Sequence, residues 1–192
     1  MIPLNLEPFI FDCEVFAYDW LFVFKNKVTG EYTEIWNDNE AVEQFMTQEP
    51  LLAGFNNKHY DQFILKAVLS GFTPEEIKAV NDFIIVGGHE GWEYAPLRDC
   101  GIFFDQYDLM DDCQMGLSLK AIEAHLGMDI RETTVPFNID RPLTEDEKQE
   151  VEFYCRHDVD ATDRLDDLRQ GYLFSKLTLG REKGLYPAKA LY

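Results

Sequence analysis

FIFDCEVF, residues 9–16, is an apolar run interrupted only by two acidic residues, Asp12 and Glu14. Its length and composition predict a buried β-strand. Residues two apart on a strand point to the same face of a sheet, so both carboxylates face one point. Two like charges inside a hydrophobic strand are unfavourable unless a cation compensates them. A divalent metal ion with oxygen ligands is the natural compensation, and the alternative is a solvated strand end.

Apolar runs and turn signals outward from this strand predict a five-stranded sheet. The second and third strands follow closely, with Thr29-Gly30 as the turn between them, and complete an antiparallel meander. Helical segments separate the later strands, which we therefore expect to be parallel. The fold class is α/β, with a mixed five-stranded sheet, three antiparallel strands then two parallel, flanked by helices. The further predicted strands are Trp20–Phe24, Tyr32–Trp36, Leu51–Phe55 and Ile102–Leu109.

Capping signals place the helices between and after these strands. Thr73 and Thr144 each begin a capping box, and Ser118 begins a helix that ends at Gly127. The predicted helices cover residues 38–46, 63–69, 73–86, 118–127 and 144 to at least 168. A last helix, 172–192, is expected to fray into a tail that contains Pro187.

Length and composition indicate one domain, residues 1–192, without a membrane segment. No apolar run approaches the roughly 20 residues that cross a bilayer, and the N-terminus lacks the features of a signal peptide. Four scattered cysteines form no C-x-x-C pair and are expected to be reduced. We therefore expect no membrane partner and a cytoplasmic location. The cysteines are Cys13, Cys100, Cys113 and Cys155.

The net charge of −19 argues, by itself, against a nucleic-acid partner. Bound divalent cations make the local electrostatic potential of an acidic site positive, so that it attracts phosphate. A neighbouring basic domain can also supply most of the binding to DNA. Composition therefore leaves this question to the motifs.

Two more segments supply candidate ligands. Asp61 follows the apolar Leu51–Phe55 strand and an Asn-rich loop, in the first turn of a helix. It is either a third metal ligand or a carboxylate at the N-cap or in the first turn of the helix. Tyr154 and Asp158 are four apart on the long helix and share one face, where a phenol can orient water beside a metal ligand. The alternative for Tyr154 is a half-buried aromatic residue on an amphipathic helix.

In order and spacing, these three elements resemble the DnaQ-like, or DEDD, 3′–5′ exonuclease superfamily. FDCE (11–14) resembles its first motif, NKHYD (57–61) its second and YCRHD (154–158) its third. The tyrosine form of the third motif resembles the proofreading domains of DNA polymerases, and residues 118–127 resemble the helix before the third motif in that branch. The segment 135–154 with 157–159 is similar to the exonuclease regions of phage-encoded polymerases. The histidine branch carries a histidine five positions before its last Asp, where this chain has Phe153.

The resemblance implies an RNase H-like fold and a metal-dependent 3′–5′ exonuclease that releases nucleoside 5′-monophosphates from DNA, in proofreading. Its cofactors would be two divalent cations, Mg²⁺ or Mn²⁺. Its partners would be a single-stranded or frayed DNA 3′ end and a polymerase domain, in cis or in trans. The chain would then be either a whole protein or the N-terminal part of a longer polymerase, in the host cytoplasm if it is phage-encoded.

The resemblance also assigns residues to roles. Metal ligation and catalysis fall to Asp12, Glu14, Asp61 and Asp158, with Tyr154 as a further catalytic residue, and substrate binding falls to Val15, Phe16 and Asn57. Core packing for Phe16 and helix capping for Asn57 are open alternatives. His157 is expected to pack beside the site, with a phosphate contact as its alternative. The cluster formed by Asp105, Asp108, Asp111 and Asp112 is expected to be a solvated loop, with an unrelated cation site as its alternative.

Two other functions stay open. One is a catalytically inert nucleic-acid-binding or structural domain of a polymerase, and a missing carboxylate would be its signature. The other is an RNase H-like endonuclease, which would cut internally instead of releasing mononucleotides.

Overall fold

The computed structural model describes residues 8–113 and 116–184. It contains one five-stranded sheet in the order β3-β2-β1-β4-β5, with β1 at its centre. β1 pairs antiparallel with β2, which pairs antiparallel with β3, while β1, β4 and β5 are mutually parallel. The predicted mixed α/β sheet is therefore confirmed. The strands are β1 Phe9–Val15, β2 Trp20–Asn26, β3 Tyr32–Trp36, β4 Leu52–Gly54 and β5 Gln106–Asp108.

The helices begin where capping side chains predict them. Thr73 forms a complete capping box with Glu76, and Thr144 and Glu147 exchange hydrogen bonds at the start of the longest helix. Short 3₁₀ turns cover Gly91–Glu93 and Leu109–Asp112. The helices are α1 Asn39–Met46, α2 Asp61–Leu69, α3 Pro74–Ile85, α4 Ala95–Arg98, α5 Leu119–Leu126 and α6 Glu145–Glu182.

Two boundaries differ from the prediction by more than two residues, and α4 was not predicted. β5 covers three residues instead of the predicted Ile102–Leu109, because its partner β4 is itself only three residues long. Phe103, inside the predicted strand, is 89% exposed. The predicted break before Tyr172 is also absent, since α6 runs unbroken to Glu182. Pro187 lies outside the described residues.

The sheet separates two layers of the hydrophobic core. Phe11, Cys13 and Val15 of β1 pack toward α1, α2 and α3. Ile10 and Phe16 pack toward α6 on the opposite face. Period-two alternation puts Asp12 and Glu14 on this second face, so the central strand points its two carboxylates toward the longest helix.

Helix length and polarity also bear on membranes. Within the described part of the chain, no helix is both long and apolar enough to span a bilayer.

Candidate active site

An acidic cleft of about 490 Å³ opens at the carboxyl ends of the three parallel strands. Asp12 and Glu14 come from the second half of β1, Phe55 and Asn56 directly follow β4, and Met110 follows β5. Ligands bind in this crevice in open α/β sheets. The structure brings together here all of the predicted catalytic side chains: Asp12, Glu14, Asp61, Tyr154 and Asp158.

Asp61 reaches the cleft from the first turn of α2. Its Oδ1 accepts a hydrogen bond from the backbone N–H of Cys13, 3.1 Å away, and only 4% of the residue is exposed. This bond fixes the start of α2 against β1, beside Asp12 and Glu14. The carboxylate is not the N-cap of α2, because Tyr60 holds that position without a side-chain cap.

Tyr154 and Asp158 line the cleft from consecutive turns of α6. Lys120 of α5 lies between them, with its Nζ 2.5 Å from Asp158 Oδ1 and 4.8 Å from the centre of the Tyr154 ring. Burial raises the pKa of the Tyr154 hydroxyl far above its ordinary value, and the carboxylates of Asp158 and Glu14 raise it further. Tyr154 is therefore a neutral hydroxyl at every physiological pH.

The carboxylates of the cleft repel one another in a poorly solvated space. Burial raises the pKa of Asp12 and of Glu14 well above the ordinary range, and repulsion from Asp61 and Asp158 adds to both shifts. Burial likewise raises the pKa of Asp61 to about 7, against the opposing hydrogen bonds of Cys13. In the metal-free protein, part of the cluster therefore holds protons near neutral pH.

A cysteine also contacts this cluster. The Sγ of Cys155, one residue after Tyr154 on α6, donates to Asp12 Oδ2 at 3.5 Å. One ligand atom from each of Asp12, Glu14 and Cys155 lies within 4.8 Å of the other two. Cys155 has no exposed surface, and it was expected from the sequence only to be reduced.

The predicted substrate-binding residues separate into two groups. Val15 lines a second cavity of about 350 Å³, which shares Glu14 and Tyr60 with the acidic cleft. Phe16 does not reach either cavity, since it is fully buried and stacks on Phe137 with the ring centres 5.3 Å apart. Its alternative, core packing, fits this position.

Asn57 is also fully buried and does not line the cleft. Its side-chain amide contacts the side-chain amide of Gln106 at 2.8 Å. A Cβ atom added to Gly54 would lie only 2.8 Å from the Cβ atom of Asn57. The side chain thus closes the β4–α2 connection from inside and does not cap α2. The position of Asn57 therefore supports neither the predicted substrate contact nor the alternative of a helix cap.

Asn56 lines the cleft in place of Asn57, with φ at 65°. Asp108 fixes this conformation, because its carboxylate accepts the backbone N–H groups of Asn56 and Lys58 at 2.8 and 3.0 Å. The expectation of a solvated loop is wrong for Asp108, which is only 4% exposed. The two adjacent Asn residues were a usable sequence signal, because Asn adopts positive φ more readily than most residues.

His157 packs beside the site, as expected. Its Nε2 lies 3.5 Å from Oε1 of Glu123, a fully buried carboxylate that also lies 3.5 Å from the Nζ of Lys120. Lys120 and Glu123 were not singled out as site residues from the sequence. Their spacing of three on a helix, which puts both on one face, was the available signal.

Comparison with known proteins assigns no family. No family model, curated protein or solved structure matches the chain. What the cleft can do chemically therefore follows from its residues alone. Converging carboxylate oxygens, a neutral hydroxyl and one lysine form a site that suits a hard cation bound to a phosphate-bearing ligand.

Proposed function

We propose that the protein is a metal-dependent 3′–5′ exonuclease with an RNase H-like fold that trims DNA from its 3′ end. The convergence of Asp12, Glu14, Asp61, Asp158 and Tyr154 on one cleft carries this proposal. These residues come from three separate segments, and the resemblance of those segments to DEDD exonuclease motifs specified the same five. A set of unrelated surface carboxylates would not be expected to meet at one strand end.

The donor set fits two divalent cations such as Mg²⁺ or Mn²⁺. Glu14, Asp61 and Asp158 are each at most 8% exposed, and Lys120 is the one cation that contacts these carboxylates within the described residues. Such a concentration of buried negative charge is unfavourable without further cations. Asp12 and Glu14 would hold one ion together with Asp158, and Asp12 and Asp61 would hold the second.

Bound divalent cations would supply activation of water and stabilisation of the charge that develops on the phosphate. Tyr154, a neutral hydroxyl one helical turn from Asp158, would orient the attacking water by a hydrogen bond. Lys120 lies beside Tyr154 and Asp158 and would neutralise a phosphate oxygen. The water oxygen bonds to phosphorus, the penultimate 3′ oxygen leaves with a proton, and a nucleoside 5′-monophosphate is released.

The cavity beside Val15 is the place for the terminal nucleoside. It opens next to Glu14, and its walls include Tyr60, Val86 and Phe137. Val86 is 79% exposed and Phe137 is 48% exposed, so both present apolar surface to a base. Stacking on such surface tolerates every base, as a trimming enzyme requires.

The acidic surface fits a domain that receives only a frayed or single-stranded 3′ end. With a net charge of −19, the chain offers little attraction to a long duplex. A polymerase domain in cis or in trans would bind the duplex, and proofreading would be the biological role. The cytoplasm, a host's if the protein is phage-encoded, would be the place of action.

The test uses single-stranded DNA labelled at its 5′ end, with Mg²⁺ or Mn²⁺ and with chelator, beside the Asp12→Ala variant. We expect a metal-dependent ladder that shortens from the 3′ end and is absent in the variant. Asp167→Ala is the matched control, because it removes a half-exposed carboxylate of α6 outside the cleft.

Other products would overturn the proposal. Internal fragments without mononucleotides would indicate an endonuclease. No cleavage of single strands or mismatched duplexes with either metal would leave an inert binding or structural domain of a polymerase.

A further inference from the structure

We infer that Cys155 adds a sulfur ligand to the acidic cleft, so that a thiophilic divalent ion, Zn²⁺ or Cd²⁺, binds to Asp12, Glu14 and Cys155. Occupancy by such an ion would displace the hard cations and inhibit the enzyme. The binding stands on geometry alone, whereas the inhibition rests on the proposed nuclease function.

The ligand atoms are already close together. Cys155 Sγ lies 3.5 Å from Asp12 Oδ2, and the ligand atoms of all three residues lie within 4.8 Å of one another. Zinc bonds of about 2.3 Å to sulfur and about 2.1 Å to oxygen place two ligand atoms roughly 3.5 Å apart. Small rotations of the Glu14 and Asp12 side chains would close the remaining gap.

Glu14 is an independent indication of a ligand at this point. It is only 8% exposed and lines the cleft, yet no residue in the described part of the chain donates a hydrogen bond to its carboxylate. A buried carboxylate without a donor is unfavourable unless it binds a cation. Cys155 supplies the soft ligand that distinguishes this cation from Mg²⁺.

The ion would replace the thiol hydrogen that now lies between Cys155 and Asp12. Binding releases this proton to the solvent and leaves a sulfur–metal bond, with no change in oxidation state. The open side of the cleft leaves further coordination positions for water.

The first experiment titrates chelator-stripped full-length protein with Cd²⁺ alone and follows the ultraviolet absorption of the cadmium–thiolate bond. We expect a band at stoichiometric Cd²⁺, and at least about tenfold weaker binding in Cys155→Ser. Cys100→Ser is the matched control and should keep the band, because Cys100 does not belong to the group of ligand atoms formed by Asp12, Glu14 and Cys155. Cys155→Ala serves as a second variant, and thermal melts establish that each variant is folded.

A band that survives in both Cys155 variants, or that disappears in Cys13→Ser instead, would overturn the inference. Absence of any band in the wild-type protein would also overturn it.

The second experiment measures inhibition by Zn²⁺ of cleavage in Mg²⁺, relative to each variant's own uninhibited rate. We expect at least about tenfold weaker inhibition in Cys155→Ser than in Cys100→Ser. The two proposals fail separately: a cadmium–thiolate band without cleavage rejects the nuclease alone, and cleavage without a band rejects the thiolate site alone.

Discussion

Two groups of carboxylates flank the same helix, and they differ in what neutralises them. The acidic cleft holds Asp12, Glu14, Asp61 and Asp158, with Lys120 as a single contacting lysine among the described residues. The lysine-paired face of α6 holds Asp160, Asp163, Asp166 and Asp167, which bind Lys25 and Lys27 of the β2 region at 2.6–2.9 Å.

Their proton affinities differ accordingly. Burial would raise the pKa of Asp163, but its hydrogen bonds to Lys25 and Lys27 outweigh burial and leave the pKa below its ordinary value. In the cleft, burial and mutual repulsion both raise the pKa of Asp12 and Glu14. Every carboxylate of the lysine-paired face contacts a lysine, whereas in the cleft only Asp158 does so among the described residues. Under the proposed function, a cation from outside the chain would compensate the others.

The largest expected effect separates these groups by activity. Asp12→Asn should reduce cleavage in Mg²⁺ at least about 10³-fold, since metal-based stabilisation contributes several kcal/mol. The same change should raise the melting temperature of the metal-free protein, because it removes a repelled charge. Asp167→Asn, on the lysine-paired face, should change the cleavage rate and the melting temperature only slightly. Steady-state cleavage rates and calorimetry measure both effects, and an active Asp12→Asn protein would contradict the comparison.

Tyr154→Phe tests what the Tyr154 hydroxyl contributes to cleavage. Loss of the hydroxyl that we propose orients the attacking water should reduce cleavage by about 10- to 100-fold, with little change in stability because the ring is kept. Tyr172→Phe is the matched control on the same helix, since Tyr172 is 44% exposed and lies outside the cleft. Single-turnover rates at saturating Mg²⁺ would distinguish the two. Equal rates would mean that Tyr154 is only a packed aromatic residue.

Asp163→Ala should act on stability instead of activity. Its carboxylate binds Lys25 at 2.7 Å and Lys27 at 2.6 Å, so its loss removes one of the two carboxylates that contact Lys25 and one of the three that contact Lys27. We expect the free energy of unfolding to fall by about 2 kcal/mol, with cleavage per folded molecule unchanged. Urea denaturation monitored by circular dichroism measures this fall. Stability equal to that of Asp167→Asn would show that the lysine-paired face contributes little.

The smallest expected effect is a pH dependence of opposite sign in the two groups. A carboxylate whose pKa is raised by folding stabilises below its ordinary pKa, and this stabilisation is lost as pH rises through the folded value. Because the pKa of Asp61 is raised to about 7, the metal-free protein should melt at a higher temperature near about pH 5 than near about pH 8.

Asp61→Asn should reduce that difference, and Mg²⁺ should stabilise more at the higher pH, where protons no longer compete for the ligands. Asp163→Asn is the control: the pKa of Asp163 is lowered, so its contribution is lost only under more acidic conditions. Melting temperatures in chelator across this range test both statements. A metal-free protein that is more stable near about pH 8 would contradict the raised pKa values.

Much of the fold is predictable because its signals are local. The alternation in residues 9–16 predicts both the central strand and the shared direction of Asp12 and Glu14. Capping boxes at Thr73 and Thr144 predict two helix starts, since the bonds involve residues three apart. The length of β5 was not predictable in this way, because a strand ends where its partner ends.

The sequence also failed to predict site residues whose positions depend on non-local contacts. Asn57 and Asp108 are polar residues in a loop-rich context, which favours exposure, yet both are buried where β4, β5 and α2 meet. Cys155 carries no local signal, because its contact with Asp12 joins positions 143 residues apart. Packing of the long α6 helix onto β1 creates that contact.

The sequence by itself determined most of the elements, the shared face of Asp12 and Glu14, and the shared face of Tyr154 and Asp158. These relations follow from the repeats of strand and helix, which act over two to four residues. Only the tertiary structure decided which carboxylates are neutralised. Lys25 and Asp163 meet across 138 positions, and no lysine of the described chain meets Glu14 in the same way. Charge compensation depends on distances that exist only after folding.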